Sequence, residues 1–276
     1  MASISAKLQP ISDFINRQQI VPRRGALFLG LAQTCFDLSD KHMRPYFVRT
    51  SLANFQRAGA KLDLIGTEEV MQGILPDYEV IFIPGHRWMT EGVKRRLEDH
   101  IVNGGTVVVD NRTSIDIKGA IKAKIPFGSG LHDVAMSANI EQSKSLVSRY
   151  LKPELLLADS PETLIRINHV GQTPIAWVLD VESHSELQTI HRMHSEDWND
   201  GTYRSMNQWA KKEPLVEKAI RVRKPYYAYD LFAMNEIKLQ DKDNEWRSGK
   251  LTTEFYGAKP LALLQQQVGE LRSTTS

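Results

Sequence analysis

Cysteine is almost missing from this chain. Cys35 is the only one in 276 residues, which excludes an internal disulfide and any metal site built on several thiolates. No apolar run approaches the roughly 18 residues that a membrane-crossing helix needs. Blocks of like charge are absent too, and the formal net charge is only +2. Nucleic-acid binding through bulk electrostatics is therefore not expected, and neither is a membrane-embedded helix. The opening stretch, MASISAKLQPISDFINRQQI, lacks the apolar core of a signal peptide. With so little to mark a compartment, the cytoplasm is the default, although chains without disulfides are also exported. There is no internal repeat, no low-complexity tract, and no motif that implies a cofactor.

What is present is an ordinary globular composition, 41% hydrophobic and 25% charged, arranged in two textures. The first half alternates strand and helix patterns. RGALFLG (24–30) is a continuous apolar run, as expected of a strand buried on both faces, and KLDLIG (61–66), YEVIFIPG (78–85) and TVVVDN (106–111) read as the second, third and fourth strands. Helical spacing lies between them. RPYFVRTSLANFQRAGA has Pro45 near its start and Gly59 past its end. TEEVMQGI is a short helix opened by Thr67. MTEGVKRRLEDHIVNGG places Met89, Val93, Leu97 and Ile101 on one stripe and stops at Gly104. KRRLED (94–99) forms its solvated side. Strands separated by such helices require right-handed crossovers and a mostly parallel sheet. Residues 119–138 read as irregular, and 139–151 as a further helix.

Beyond about residue 155 the pattern becomes β-rich. ETLIRINHV and TPIAWVLDV are separated by Gly-Gln, a hairpin signal. AIRVRKPYYAYDLF and KLTTEFYGAKPLALL follow, with no comparable helix between them. The expected organisation is a helical extension over 1–20, with Ile11, Phe14 and Ile15 on one side, and an α/β domain over 21–152. A smaller antiparallel all-β domain of sandwich type then covers 160–265, and a flexible tail covers 266–276. A long polar segment, 183–214, interrupts the β-rich half. Connections of that length tend to be functional or mobile.

The stretch AGAKLDLIG…LPDYEVIFIPGHRWMTEGVKRRLEDHIVNGGTVVVDNRTSID resembles the trimerisation domain of microbial β-galactosidases, a flavodoxin/Rossmann-like fold of the class I glutamine-amidotransferase type. That family has a strand of the type VDVV after Ala-Gly, a YDLVVVPALYLLS strand and turn, and an ERLREYVEAGGTLV helix. Each has a counterpart here in the same order. The resemblance covers about 24–135, and DYEVIFIP…LEDHIVNGGTVVV is its most specific part. YAYDLF…LTTEFYGAKPLALL is similar to the small β-domain that follows in such proteins. The family's catalytic carboxylates lie in a barrel for which this chain has too few residues. The resemblance thus implies an accessory, non-catalytic module whose partners are other domains of a larger protein or copies of itself.

Candidate chemistry is sparse. A working amidotransferase resembles Gly-x-Cys-x-Gly at a strand-to-helix elbow; the matching positions here are Asp110, Asn111 and Arg112, with no thiol. Thr113 and Ser114 offer hydroxyls without an evident base. His86, after Pro84-Gly85 at a strand's C-terminal end, is a candidate base where α/β folds bind ligands. A loop histidine bonded to backbone is the plainer alternative. Cys35 follows the first strand rather than the elbow and reads as a small, partly buried side chain. In the 183–214 segment, His191 and His194 at i,i+3 are candidate metal ligands, but the His-Glu-x-x-His pattern is absent. Trp198, Tyr203 and Trp209 are candidate platforms for carbohydrate rings, or aromatics that pack on the domain or a neighbour. GSGLHD (128–133) lacks the Gly-Lys-Ser/Thr ending of a phosphate loop.

Overall fold

The structure, a computed structural model, describes residues 8–21, 23–36, 44–126, 133–152, 154–160, 163–180, 215–254 and 258–269. The chain divides into two compact units. Pro22–Pro153 forms one, and Met1–Val21 with Glu154–Ser276 forms the other.

The chain begins in the second of these. A 3₁₀ turn, Gln9–Ile11, leads into helix α1 (Ser12–Asn16) and the short strand β1 (Gln19–Ile20). Ile11 is buried, and Phe14 and Ile15 pack with it beside Tyr229 and Ile175. The segment expected as a helical extension is thus partly a strand: Gln19 and Ile20 pair antiparallel with His169 and Asn168.

The α/β unit follows. It comprises β2 (Gly25–Leu29), α2 (Leu31–Phe36), α3 (Arg44–Arg57), β3 (Leu62–Gly66), α4 (Thr67–Gln72), β4 (Val80–Ile83) and α5 (Glu91–Val102). β5 (Thr106–Asp110), β6 (Ile121–Ala123) and α6 (Asp133–Tyr150) complete it. The five strands are parallel, in the order β3-β2-β4-β5-β6. β4 is buried at every position, as its unbroken apolar run requires between two helical layers. One face of the sheet packs Phe28, Ile81, Ile83 and Val109 against Val93 and Leu97 of α5. The other packs Leu27, Phe82 and Val108 against Phe55 of α3 and Leu146 of α6.

Helix α4 opens at Thr67 as expected, and two expectations beyond it change. The α4 helix is capped at Gly66, with the Glu69 carboxylate accepting the Gly66 N–H, and Thr67 is its first residue. The Thr67 hydroxyl accepts the Leu31 N–H at 3.0 Å, tying the start of α4 to the start of α2. The 119–138 stretch is not wholly irregular. It contains β6, and α6 starts at Asp133, six residues before the apolar spacing becomes legible.

Both glycines after α5 have a mechanical reason. Gly104 takes the left-handed conformation at φ 93°, and its N–H returns to the Ile101 carbonyl. At Gly105 any side chain would collide with the His100 ring, since a Cβ would lie 2.1 Å from Nε2. Burial holds the His100 imidazole below its usual pKa range, so the neutral ring packs there.

The all-β unit continues with β7 (Leu156–Ala158), β8 (Thr163–Val170), β9 (Thr173–Asp180), β10 (Leu215–Arg223) and β11 (Tyr227–Asp230). β12 (Asn235–Glu236), β13 (Leu239–Asp241), β14 (Trp246–Glu254) and β15 (Ala258–Leu264) end the described fold. Its antiparallel strands make a six-stranded sheet, β1-β8-β9-β15-β11-β12, and a four-stranded one, β13-β14-β10-β7. The Gly-Gln signal is the β8–β9 hairpin, Val170 facing Thr173 and Gly171 at φ 58°. Leu156, Ile220, Val222 and Leu251 of the smaller sheet share one core with Ala176, Val178, Ala228 and Leu261 of the larger.

Candidate functional site

In an open parallel sheet, ligands bind beyond the C-terminal ends of the strands. Here that crest is formed by the residues after β2, β4 and β5. Strand β4 is stopped by Pro84, and Gly85 turns the chain at φ 54°. His86 is thereby turned inward and is only 1% exposed. Its Nδ1 lies 2.9 Å from the Pro84 carbonyl, and the Gly30 N–H points at its Nε2 from 3.0 Å. A carbonyl can only accept and an amide N–H can only donate. The ring is therefore neutral, with its proton on Nδ1 and its lone pair on Nε2 occupied.

The backbone of His86 is held as firmly. Its N–H donates to the Thr113 hydroxyl at 3.2 Å, and its carbonyl accepts the Ser114 N–H at 3.0 Å. Thr113 passes its own proton toward the Ile83 carbonyl at 3.3 Å. One histidine thus joins the ends of three adjacent strands, β2, β4 and β5. The ring also stacks obliquely on Phe28, with centroids 5.1 Å apart. A side chain at Gly30 would press on both rings, its Cβ 3.0 Å from Phe28 Cε1 and 3.4 Å from His86 Cδ2.

The elbow after β5 is closed by a different device. The Asp110 side chain is fully buried, and each group that reaches it is a donor. The Arg112 N–H lies 2.9 Å from Oδ1, Arg112 Nη2 2.8 Å from Oδ2, and the Ile125 N–H 2.8 Å from Oδ2. Arg112 Nε also bonds Oδ1, and Arg112 Nη2 reaches the Ile125 carbonyl at 2.9 Å. The carboxylate thus fastens the loop that returns after β6 to the end of β5.

Among the described residues the arrangement offers little for chemistry. A base needs a lone pair within reach of a substrate proton, and a nucleophile needs such a base beside it. His86 meets Thr113 through its backbone, with both ring nitrogens engaged elsewhere. Ser114 is exposed and meets His86 only through its own N–H. Cys35, expected to be partly buried, is exposed on α2 and stands apart from the elbow in sequence. His191, His194, Trp198, Tyr203 and Trp209 lie outside the described residues. Among the described residues no group of three or more His, Cys, Asp or Glu side chains is placed to hold a metal ion.

Gln33 is a crest residue that sequence reading passed over. It is 4% exposed, and its Oε1 accepts the N–H groups of Arg87 and Trp88 at 2.6 and 2.9 Å. No sequence pattern marks it, because its partners lie more than fifty residues away on another connection.

No protein-family model matches the chain, and no curated protein matches it. Solved structures do match its fold. Gan42B, a GH42 β-galactosidase from G. stearothermophilus, superposes with a TM-score of 0.58 over 95% of this chain and 43% of its own, at 11% identity. The β-galactosidase of Bacillus circulans sp. alkalophilus gives 0.58 over 95% and 44%, at 12% identity. An α-L-fucosidase isoenzyme 2 from Paenibacillus thiaminolyticus gives 0.59 over 95% and 51%, at 10% identity. The chain spans about half the length of these proteins or less. An α/β unit with a parallel sheet, accompanied by an all-β unit, is the fold it shares with a part of GH42 β-galactosidases.

Proposed function

We propose that this chain is a non-catalytic structural or oligomerisation module of a glycoside-hydrolase-like protein related to β-galactosidases. The observation that carries this reading is the closed hydrogen bonding of the crest. His86 and Asp110, the two side chains best placed for chemistry, spend their polar atoms on the fold itself. The shared fold and the resemblance of residues 24–135 to the β-galactosidase trimerisation domain both favour a retained contact surface.

The α/β unit has apolar surface suited to such a contact. Leu31, Met71 and Trp88 are 57%, 46% and 49% exposed. Leu31 follows β2 and Trp88 follows β4, while Met71 lies where α4 meets Gly92 of α5. A specific interface over them would bury on the order of 1,200–2,000 Å² in total. A closed cyclic assembly would repeat the same patches on every copy.

Light scattering over a concentration series provides the test. The expected outcome is a mass that reaches an integer multiple of the 31.3 kDa chain, with Trp88→Glu returning it to a single chain. A single-chain mass at every concentration would overturn self-association.

A further inference from the structure

The all-β unit carries a groove of ≈ 880 Å³ that the function proposed above does not use. Its lining takes in Ser248 to Thr252 of β14, Lys238 and Gln240 beside them, and Ala219 of β10. Strand β14 pairs with β10 over its full length, Trp246 to Glu254, but with β13 only at Arg247, Ser248 and Gly249. Among the described residues, no strand pairs with the side of β14 away from β10 from Lys250 onward.

The direction of the backbone groups follows from alternation. The Trp246 carbonyl accepts the N–H groups of Lys242 and Asp243, so it points to the β13 side. In an antiparallel strand the N–H and C=O of one residue point the same way, and the direction reverses at each step. Ser248, Lys250 and Thr252 therefore also address the β13 side. On β10, the Ala219 carbonyl accepts the Asp159 N–H from the β7 side, as the same alternation requires. Lys250 and Thr252 thus present ladder donors and acceptors to the groove.

The side chains sort by the same period. Leu251, Leu239 and Ile237 belong to or pack on the core between the sheets. Lys250, Lys238 and Gln240 alternate with them and are exposed. The groove is also lined by Asn235 and Glu236 of β12 and by Lys242. Lys259 and Asp230 contribute to its wall as an ion pair at 2.8 Å. Lys250 pairs with Glu217 at 2.6 Å. Lys238 and Lys242 make no salt bridge among the described residues. Lysines on a free edge discourage an uncharged strand, but they attract one that carries carboxylates.

We propose that this groove receives an extended peptide from a partner as an added strand. The peptide pairs with Lys250 and Thr252, and it alternates carboxylate side chains toward Lys238 and Lys250 with apolar ones toward Leu251. Main-chain bonds supply the affinity and the alternate side chains the specificity. A second copy of this chain fits less well, because its own Lys238, Lys242 and Lys250 would be brought against these.

The experiment is fluorescence anisotropy of the full chain with a labelled ten-residue peptide alternating Glu and Val. Two comparison peptides replace Glu by Lys, or N-methylate every second amide so that no ladder forms. Saturable binding of the Glu peptide is expected, with affinity lower by about tenfold or more for the Lys peptide and for the methylated one. Thr252→Pro removes an N–H that points away from β10, so the sheet keeps its bonds. It should weaken binding about tenfold at an unchanged melting temperature. Should that variant melt early, the methylated peptide still decides. No saturable binding of the Glu peptide, equal binding of all three peptides, or a dimer in sedimentation that Thr252→Pro dissolves would each overturn the proposal.

Discussion

Asp110→Ala should destabilise the α/β unit by about 2–4 kcal/mol, the cost of leaving buried donors without their acceptor. The loss stays below that for a fully buried ion pair because the Arg112 side chain is 39% exposed and water can solvate it again. The Ile125 N–H has no such relief; it is buried at the end of the loop that Asp110 fastens. Asp110→Asn separates geometry from charge. Every partner of the carboxylate is a donor, so an amide would turn its own N–H₂ against Ile125 or Arg112. It should therefore also destabilise, by about 1 kcal/mol or more. Chemical denaturation of the three proteins measures this. Unchanged stability in both variants would mean that Asp110 is held ready for something other than the fold.

The second large effect concerns α5. Leu97 is fully buried on the stripe that meets the sheet, among Ile83, Val93 and Val109. Arg95 is exposed on the opposite side of the same helix. Leu97→Ala should cost about 2–5 kcal/mol, through lost transfer energy and a cavity that the flanking strands cannot close. Arg95→Ala should stay within about 0.5 kcal/mol. Similar small losses for both in denaturant melts would place the helix in the wrong phase on the sheet.

These two residues also show what the sequence could reveal. The α5 stripe was legible because period 3.6 is local: Val93 and Leu97 advertise their common face within one segment. The same holds for β2, β4 and β5, whose unbroken apolar runs fit only strands covered on both faces. Gly171 marked the β8–β9 turn because few other residues accept its backbone angle. Strand β6 gave no such signal. It is three residues at the sheet's margin, and its pattern is mostly exposed. The start of α6 was hidden in a Gly-, Ala- and Ser-rich stretch with no apolar period.

The site was less legible than the fold, for a related reason. The sequence placed His86 and Asp110 at strand ends, where chemistry is often found. Their partners could not be read locally. His86 depends on Gly30, 56 positions away, and Asp110 on Ile125 beyond β6. A side chain that bonds across a sheet leaves no periodic trace. Only the assembled strands distinguish a poised base from a staple.

Turnover by the purified chain, with glutamine and with a panel of nitrophenyl glycosides, decides whether the crest is a staple or a site. His86→Ala, Ser114→Ala and Cys35→Ser are assayed beside it after their folding is verified by circular dichroism. A crest whose polar groups are spent on the fold predicts no hydrolysis above the uncatalysed rate for any of the four. Hydrolysis by the parent chain that disappears in a folded variant would contradict it.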